Sequence, residues 1–302
     1  MTEELLELER LSFVPAAKRR IAGYGSEYAD LDLDHALLVD RYEVTRGDWL
    51  RLAPEDLAEE VVTGWGPLDA ASESLTWPAT WMTFDEAQAF AELRGMRLPT
   101  AREWLFVAVG SSVTAYPWGP RGEESVSNSL GLGLKRLAAV GTFESGKAPT
   151  LGVYDLVGNA KEWVDGWVPS AEEDPPRDKN VLPPAPLMPP DAVSALGGSY
   201  LDRRRTTFGP GIKIQLVFNA TSFAHEQRAA DLGFRCVADA REYLWANAGR
   251  WGSDETARRR VVAVARRWSE AGGPLQLKRV LDELAARDGA PRGIGWLLEG
   301  TE

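Results

Sequence analysis

The sequence predicts an α+β, loop-rich fold that carries a short helical extension at its C-terminal end. Three observations lead there. Twelve Trp fall mostly between Trp49 and Trp167 beside glycines and prolines, where flat rings fill space that regular elements would otherwise fill. From Ser111 to Leu201, about ninety residues, no helical pattern is found, although helical patterns stand on both sides. After Asp239 the chain turns to amphipathic helical periodicity.

Taken in order, residues 3–11 place Leu5, Leu6 and Leu8 among glutamates and predict a short helix. LSFVPAA follows as a first strand ended near Pro15. Alternation at Leu37, Val39, Arg41 and Glu43 suggests a strand, and Thr45 offers the N-cap of a helix bearing Trp49, Leu50 and Leu52. Residues 63–80 are rich in Gly, Pro, Ser and Trp and read as a structured loop. Thr83 or Asp85 then caps a helix over EAQAFAEL that Gly95 stops. In RLPTAREWLFVAVG, Thr100 and Glu103 form a capping box and Gly110 ends the helix.

The Pro-dense stretch 169–192 reads as a surface excursion, and LGGSYL, LGFRCVA and residues 212–218 as short buried strands. Ser253 is expected to cap a helix whose Val261, Val264, Ala265 and Trp268 share a face, stopped by Gly272 and Gly273. Pro274 starts another with Leu277, Val280, Leu281 and Leu284. These two helices need a partner surface, either the main domain or another protein. The boundaries expected are therefore 1–240 for the main domain and 241–302 for the extension.

Charge narrows the functions. The net charge of −11 is uneven: residues 241–302 hold 11 Lys and Arg against 9 Asp and Glu, a net of +2, which leaves −13 for residues 1–240. Nucleic-acid binding depends on clustered cations, so no nucleic-acid partner is expected. The start, MTEELLELERL, lacks a basic start and an apolar core, and no segment approaches a membrane span; a cytoplasmic location and no membrane partner are expected. A single cysteine, Cys236, forbids an intrachain disulfide or a thiolate cluster.

The densest stretch is LGVYDLVGNAKEWVDGW, Leu151 to Trp167, where neither a helical nor a strand period runs. It predicts an irregular loop whose polar groups fold back onto backbone or an ion. Taken together, DRYEVTRGDW, WPATWMTFDEAQAF, GMRLPTAREWLFVAVG, YPWG, GVYDLVGNAKEW, LGGSY and LGFRCV, spread in order over about residues 11–239, resemble the formylglycine-generating enzyme family, also called the sulfatase-modifying-factor domain. The resemblance implies a variant of the C-type lectin fold. It also implies a calcium ion in the VGNAKEW loop, held by the Asn159 side-chain oxygen, the Glu162 carboxylate and the carbonyls of Val157 and Ala160. Lys161, where the family has an aromatic, brings a cation that weakens or replaces such a metal. Arg97, Glu103 and Arg235 are expected to be ion-pairing or capping groups.

Enzymes of that family oxidise a substrate cysteine with a cysteine pair that binds copper(I). Carried over without gaps, the pair's positions are Asp202 and Thr207, so no copper is expected. Cys236 lies among apolar residues, where a thiol is inert. With only His35 and His225, a three-His iron site is impossible, and a two-His-one-carboxylate centre would need Asp202 or Glu226. What remains is DRRRTT: Asp202, Arg203, Arg204, Arg205 and Thr207, joined by Arg228, is the expected site for a small acidic ligand or a protein partner. The expectation is thus a non-catalytic binding or scaffold protein acting through 198–235, the C-terminal helices or both, with an iron- or copper-dependent oxidase as the alternative.

Overall fold

The structure, a computed structural model, describes residues 2–22, 28–65, 73–110, 116–120, 123–166, 192–202, 220–271 and 273–301. After helix α1 (Glu3–Glu9) come strands β1 (Leu11–Val14), β2 (Arg20–Ala22), β3 (Tyr28–Asp30) and β4 (Leu37–Asp40). Helices α2 (Arg46–Leu52), α3 (Glu55–Thr63), α4 (Phe84–Leu93) and α5 (Ala101–Val109) follow. Strands β5 (Lys161–Val164), β6 (Ala192–Leu196), β7 (Thr221–Ala224), β8 (Leu232–Gly233) and β9 (Val237–Asp239) lead into α6 (Ala240–Asn247), α7 (Glu255–Glu270), α8 (Pro274–Ala285) and α9 (Arg292–Glu299). This is an α+β fold.

Two sheets set the frame. One has the order β1-β4-β9, antiparallel throughout, with Leu38 opposite Phe13 on one side and Ala238 on the other. The other has the order β7-β6-β5-β8, in which β8 alone runs parallel to its neighbour. Alternate residues of both sheets enter two different hydrophobic clusters: Phe13, Leu38, Trp163 and Ala195 join one, and Val14, Val39, Val164 and Leu196 the other. Strands β1, β4, β5 and β6 are therefore buried on both faces, which removes the alternation by which a strand is usually found. For that reason KEWV, β5, goes unseen in the sequence within what reads as irregular chain.

Capping holds the helices of the main domain. Thr45, Thr83 and Thr100 each accept from the backbone N–H three residues on, and Asp48, Glu86 and Glu103 each reach back to the cap's own N–H. Thr83 is thus the cap of α4. Helix α3, with Pro54 before it and Glu55 and Asp56 in its first turn, lies outside the elements read from sequence. LGGSY is not a strand: β6 ends at Leu196, and Gly197 and Gly198 turn the chain. Residues 212–218 and most of 169–192 lie outside the described residues.

The C-terminal helices differ from expectation in two ways, the cap and the number of helices. The cap of α7 is Asp254, whose carboxylate accepts from Ala257 N at 2.8 Å; Ser253 sits one residue too early for that reach. There are four helices after β9, since α6 continues directly from it and α9 closes the chain. The glycines of RGIGWLLE hide α9 in the sequence, yet Gly293 lets it approach: a Cβ there would come within 2.4 Å of Ala248 O and 2.5 Å of the Trp251 ring. The apolar faces of α7 and α8 are occupied within the chain. Trp268 packs on Phe13 at 6.3 Å between ring centroids, donates its indole N–H to Leu11 O at 2.9 Å, and shares one cluster with Leu5, Leu8, Leu277, Leu281 and Leu297. Of the two partner surfaces expected for these helices, the main domain or another protein, the structure shows the first: α1 and β1.

Removing that contact measures the coupling. Trp268→Ala is expected to lower stability by about 3–5 kcal/mol, the range for truncating a large buried aromatic, read from urea unfolding of the full chain. A chain ending at residue 240 is expected to lose its cooperative transition.

Candidate functional site

The irregular stretch from Leu151 to Ala160 is closed by backbone bonds to distant chain. Gly158 N donates to Gly197 O at 3.0 Å, Asn159 N to Asn128 O at 2.8 Å and Tyr200 N to Asn159 O at 3.1 Å. Gly158, at φ 84°, also lies so close to Asn128 that a Cβ would meet its carbonyl oxygen at 2.4 Å. Where the chain straightens into β5, two charged residues enter a central strand, and each meets an opposite charge.

Glu162, on one face, is fully buried. Its carboxylate takes Arg235 Nε at 2.6 Å and Nη2 at 2.5 Å, and the Trp104 indole N–H at 2.7 Å. Arg235 spends its other donors on Asp40 O at 3.1 Å and Tyr154 O at 2.8 Å. Two further buried carboxyls lie in the same field. Glu43 accepts from Ala160 N at 2.9 Å and Asn159 Nδ2 at 2.8 Å, and burial, then Asp155 and Glu162, push its pKa well up. Asp155 accepts from Gly141 N at 2.6 Å and is raised by burial to about 6, with Glu162 adding to the rise and Arg235 opposing it.

This arrangement answers the expected calcium site. Asn159 Oδ1 accepts from Asn128 Nδ2 and Ala138 N, both at 3.0 Å, and Glu162 faces a guanidinium. Side-chain oxygens aimed at N–H donors do not fit a cation shell. Of the expected ligand set Asn159, Glu162, Val157 and Ala160, the two side chains are thus held by N–H groups, with Arg235 supplying the positive charge beside Glu162. As expected, Arg97 pairs with Glu103 at 2.6 and 2.7 Å while Glu103 caps α5.

Lys161, on the opposite face of β5, organises the second cluster. Its ammonium lies 2.6 Å from Asp231 Oδ2, 3.0 Å from Asp202 Oδ2 and 3.5 Å from Ser199 Oγ. Burial alone would lower its pKa; Asp231 and then Asp202 overcome this and raise it. Ser199, 1% exposed, donates its hydroxyl to Asp231 at 2.6 Å, and its backbone N–H holds Asp202 at 2.9 Å. Asp202 is thus a fixed carboxylate, a third exposed, at the edge of a buried ammonium. Lys161, Ser199 and Asp231 were missed as site residues; GGS next to Asp202 and the odd Lys in VGNAKEW were the available signals.

Other expected residues fall elsewhere. Arg228 is committed to Glu86, at 2.5 and 2.7 Å, and to Trp81 O at 3.0 Å, so it pins the start of α4 and is not free for a ligand. Arg203, Arg204, Arg205 and Thr207 lie outside the described residues. His35 stands 4.0 Å from Glu103 and Asp239, whereas His225 faces Asp85 at 3.2 Å and packs on Phe84, so the two engage different carboxylates. Glu226 is exposed beside the latter. Cys236 is fully buried, and burial pushes its thiol pKa well up. A groove of about 710 Å³ lies apart from both clusters, between α1 and α6, rimmed by Glu3, Glu4, Glu7, Asp239 and Glu242. No helix among the described residues is long and apolar enough to cross a membrane.

The sheets, the closed knot and the Glu162–Arg235 pair define a formylglycine-generating-enzyme-like variant of the C-type lectin fold. The chain belongs to the sulfatase-modifying factor enzyme 1-like domain family, whose signature matches residues 19–240. It is 29% identical over 191 residues to the "Inactive C-alpha-formylglycine-generating enzyme 2" of Bos taurus, covering 58% of this chain and 54% of that protein. It is also 29% identical over 188 residues to the formylglycine-generating enzyme of Mycobacterium tuberculosis, covering 54% of this chain and 57% of that one. The chain therefore spans about half the length of these curated relatives. Among solved structures, Treponema denticola variable protein 1 shares the fold with a TM-score of 0.55 at 15% identity, over 76% of this chain and 94% of that one.

Two outcomes follow from the buried charges. A carboxyl whose pKa rises on folding contributes stability that is complete below its ordinary value and lost as pH rises through its folded value. For Asp155 that window runs from its ordinary value of 3.8 up through about 6. Melting curves from pH 5 to 7.5 are therefore expected to show wild type losing stability relative to Asp155→Asn, whose side chain tolerates the left-handed φ of 56°. Separately, chelation by EDTA and re-addition of calcium are expected to leave the melting temperature unchanged; a rise on adding calcium would show an ion displacing Arg235 from Glu162.

Proposed function

We propose that this chain is a non-catalytic binding domain, in which a formylglycine-generating-enzyme-like scaffold presents the surface around residues 198–235 to a protein or small acidic ligand. The observation that carries the proposal is Asp202. At the position where the resemblance puts the first cysteine of the copper-binding pair stands a carboxylate tied to Lys161 at 3.0 Å and to Ser199 N at 2.9 Å. A carboxylate paired with an ammonium offers neither a soft ligand for copper(I) nor a group that can be oxidised and reduced.

The buried, high-pKa thiol of Cys236 supports the same reading, because the thiolate is the reactive form. So does the similarity to a relative whose name carries the word inactive. Lys161 has a structural part here: it holds together the Ser199–Asp202 turn and Asp231, from two separate segments, with a cation that belongs to the chain. A rigid polar platform at a loop-bearing edge is what a binding scaffold needs. A cytoplasmic setting remains part of the proposal.

The chain, supplied in turn with copper(I) and iron(II) and a cysteine-containing peptide, is expected to consume no oxygen above the free-metal control and to leave the peptide thiol intact. Turnover lost in Asp202→Ala would overturn the proposal in favour of an oxidase with a non-cysteine site.

A further inference from the structure

Arg46 opens α2 and is only 7% exposed. Among the described residues a buried arginine otherwise meets a carboxylate: Arg94 takes Asp40 and Glu7, and Arg235 takes Glu162. Among the described residues Arg46 forms no ion pair, and its Nε is buried with no hydrogen-bond partner. A guanidinium has five N–H donors in one plane and is costly to bury uncompensated. What flanks it is aromatic: its central carbon lies 5.1 Å from the centre of the Trp65 ring and 5.4 Å from that of Trp77.

Those indoles offer their faces and leave the in-plane donors unsatisfied. Both are held from elsewhere. Trp65 donates its N–H to Thr80 O at 2.7 Å, and Trp77 receives the Arg46 backbone N–H at 2.9 Å. A second cation shares the second ring: the Arg136 guanidinium, on an exposed residue, stands 5.2 Å from Trp77, and it forms no ion pair among the described residues. Tyr200, one residue from Ser199, is half-buried, and burial, then Asp231, raise its phenol pKa while Lys161 and Arg46 oppose the rise.

From this geometry we propose that Arg46, clamped between Trp65 and Trp77 with Arg136 beside them, is a binding site for an oxyanion, the carboxylate or phosphate group of a small ligand. The oxyanion accepts from the in-plane donors of Arg46, and the two indoles wall off water and fix the plane in which it is received. Arg136 supplies a second, exposed positive charge at the mouth. Discrimination is expected to favour compact anions, because the indoles limit the approach to the guanidinium edge. The site stands whether or not the domain also performs chemistry, so failure of the binding-scaffold proposal leaves it untouched.

The test uses the full chain, with sodium acetate and inorganic phosphate as separate probes and sodium chloride at matched ionic strength as the control. Either probe is expected to raise the melting temperature saturably above the chloride control and to change tryptophan fluorescence at the same half-saturating concentration. A response to acetate alone assigns a carboxylate, to phosphate alone a phosphate, and to both a general oxyanion. Arg46→Met is expected to abolish the response and, without anion, to melt at or above wild type, because it removes a buried charge with no counter-ion. Arg46→Lys keeps the charge but loses the fork, and is expected to raise the half-saturating concentration roughly tenfold, the worth of about one charge-assisted hydrogen bond. No response to either probe in wild type, an equal response in Arg46→Met, or an anion-free Arg46→Met that melts well below wild type while Arg46→Lys binds normally would each overturn the proposal.

Discussion

The buried pair of Glu162 and Arg235 is the constraint on which the rest of the domain depends. Glu162 comes from a central strand, and Arg235 from the segment that leads into β9, the last strand of the other sheet. Between them the two side chains also hold the Trp104 indole of α5, the Tyr154 carbonyl of the irregular stretch and the Asp40 carbonyl of β4. One ion pair thus ties both sheets, a helix and the knot to one point. Its value lies in specificity as much as in stability, since a buried charge left without its partner costs several kcal/mol and alternative packings would leave one unpaired.

The same logic extends along β5. Lys161 and Glu162 are neighbours in sequence, so a strand sends them to opposite faces, and each face supplies the opposite charge: Asp231 and Asp202 on one, Arg235 on the other. Positive charges built into the chain occupy the centres of both polar clusters. These pairs brace the knot with the chain's own charges, and they make Asp202 a structural as well as a surface group.

The C-terminal helices show a different economy. They carry a slight excess of positive charge beside an acidic main domain, and Arg260 pairs with Glu9 while Arg267 donates to the carbonyls of Glu9 and Leu11. Their apolar faces complete the core that α1 and β1 begin, so the boundary drawn at residue 240 marks a change of sequence character and not a gap in the hydrophobic cluster.

Much of the architecture was legible in the sequence because its signals are local. The three Thr caps with acidic residues three positions on, the glycine stop at Gly110 and Pro274 at the start of α8 depend on residues within one turn of each other. The motif order from DRYEVTRGDW to LGFRCV carried the family for the same reason. What the tertiary structure alone decided involves partners far apart in the chain. Lys161 meets Asp231 across 70 residues and Glu162 meets Arg235 across 73, so no window of sequence could show that KEWV is a strand or that Glu162 faces a guanidinium. Arg228 was likewise readable as a free cation until Glu86, 142 residues away, was seen to hold it. Arg46 is the converse case: its neighbours in sequence say only that a helix begins, and it takes the packing of two distant indoles to show a buried guanidinium without an acid.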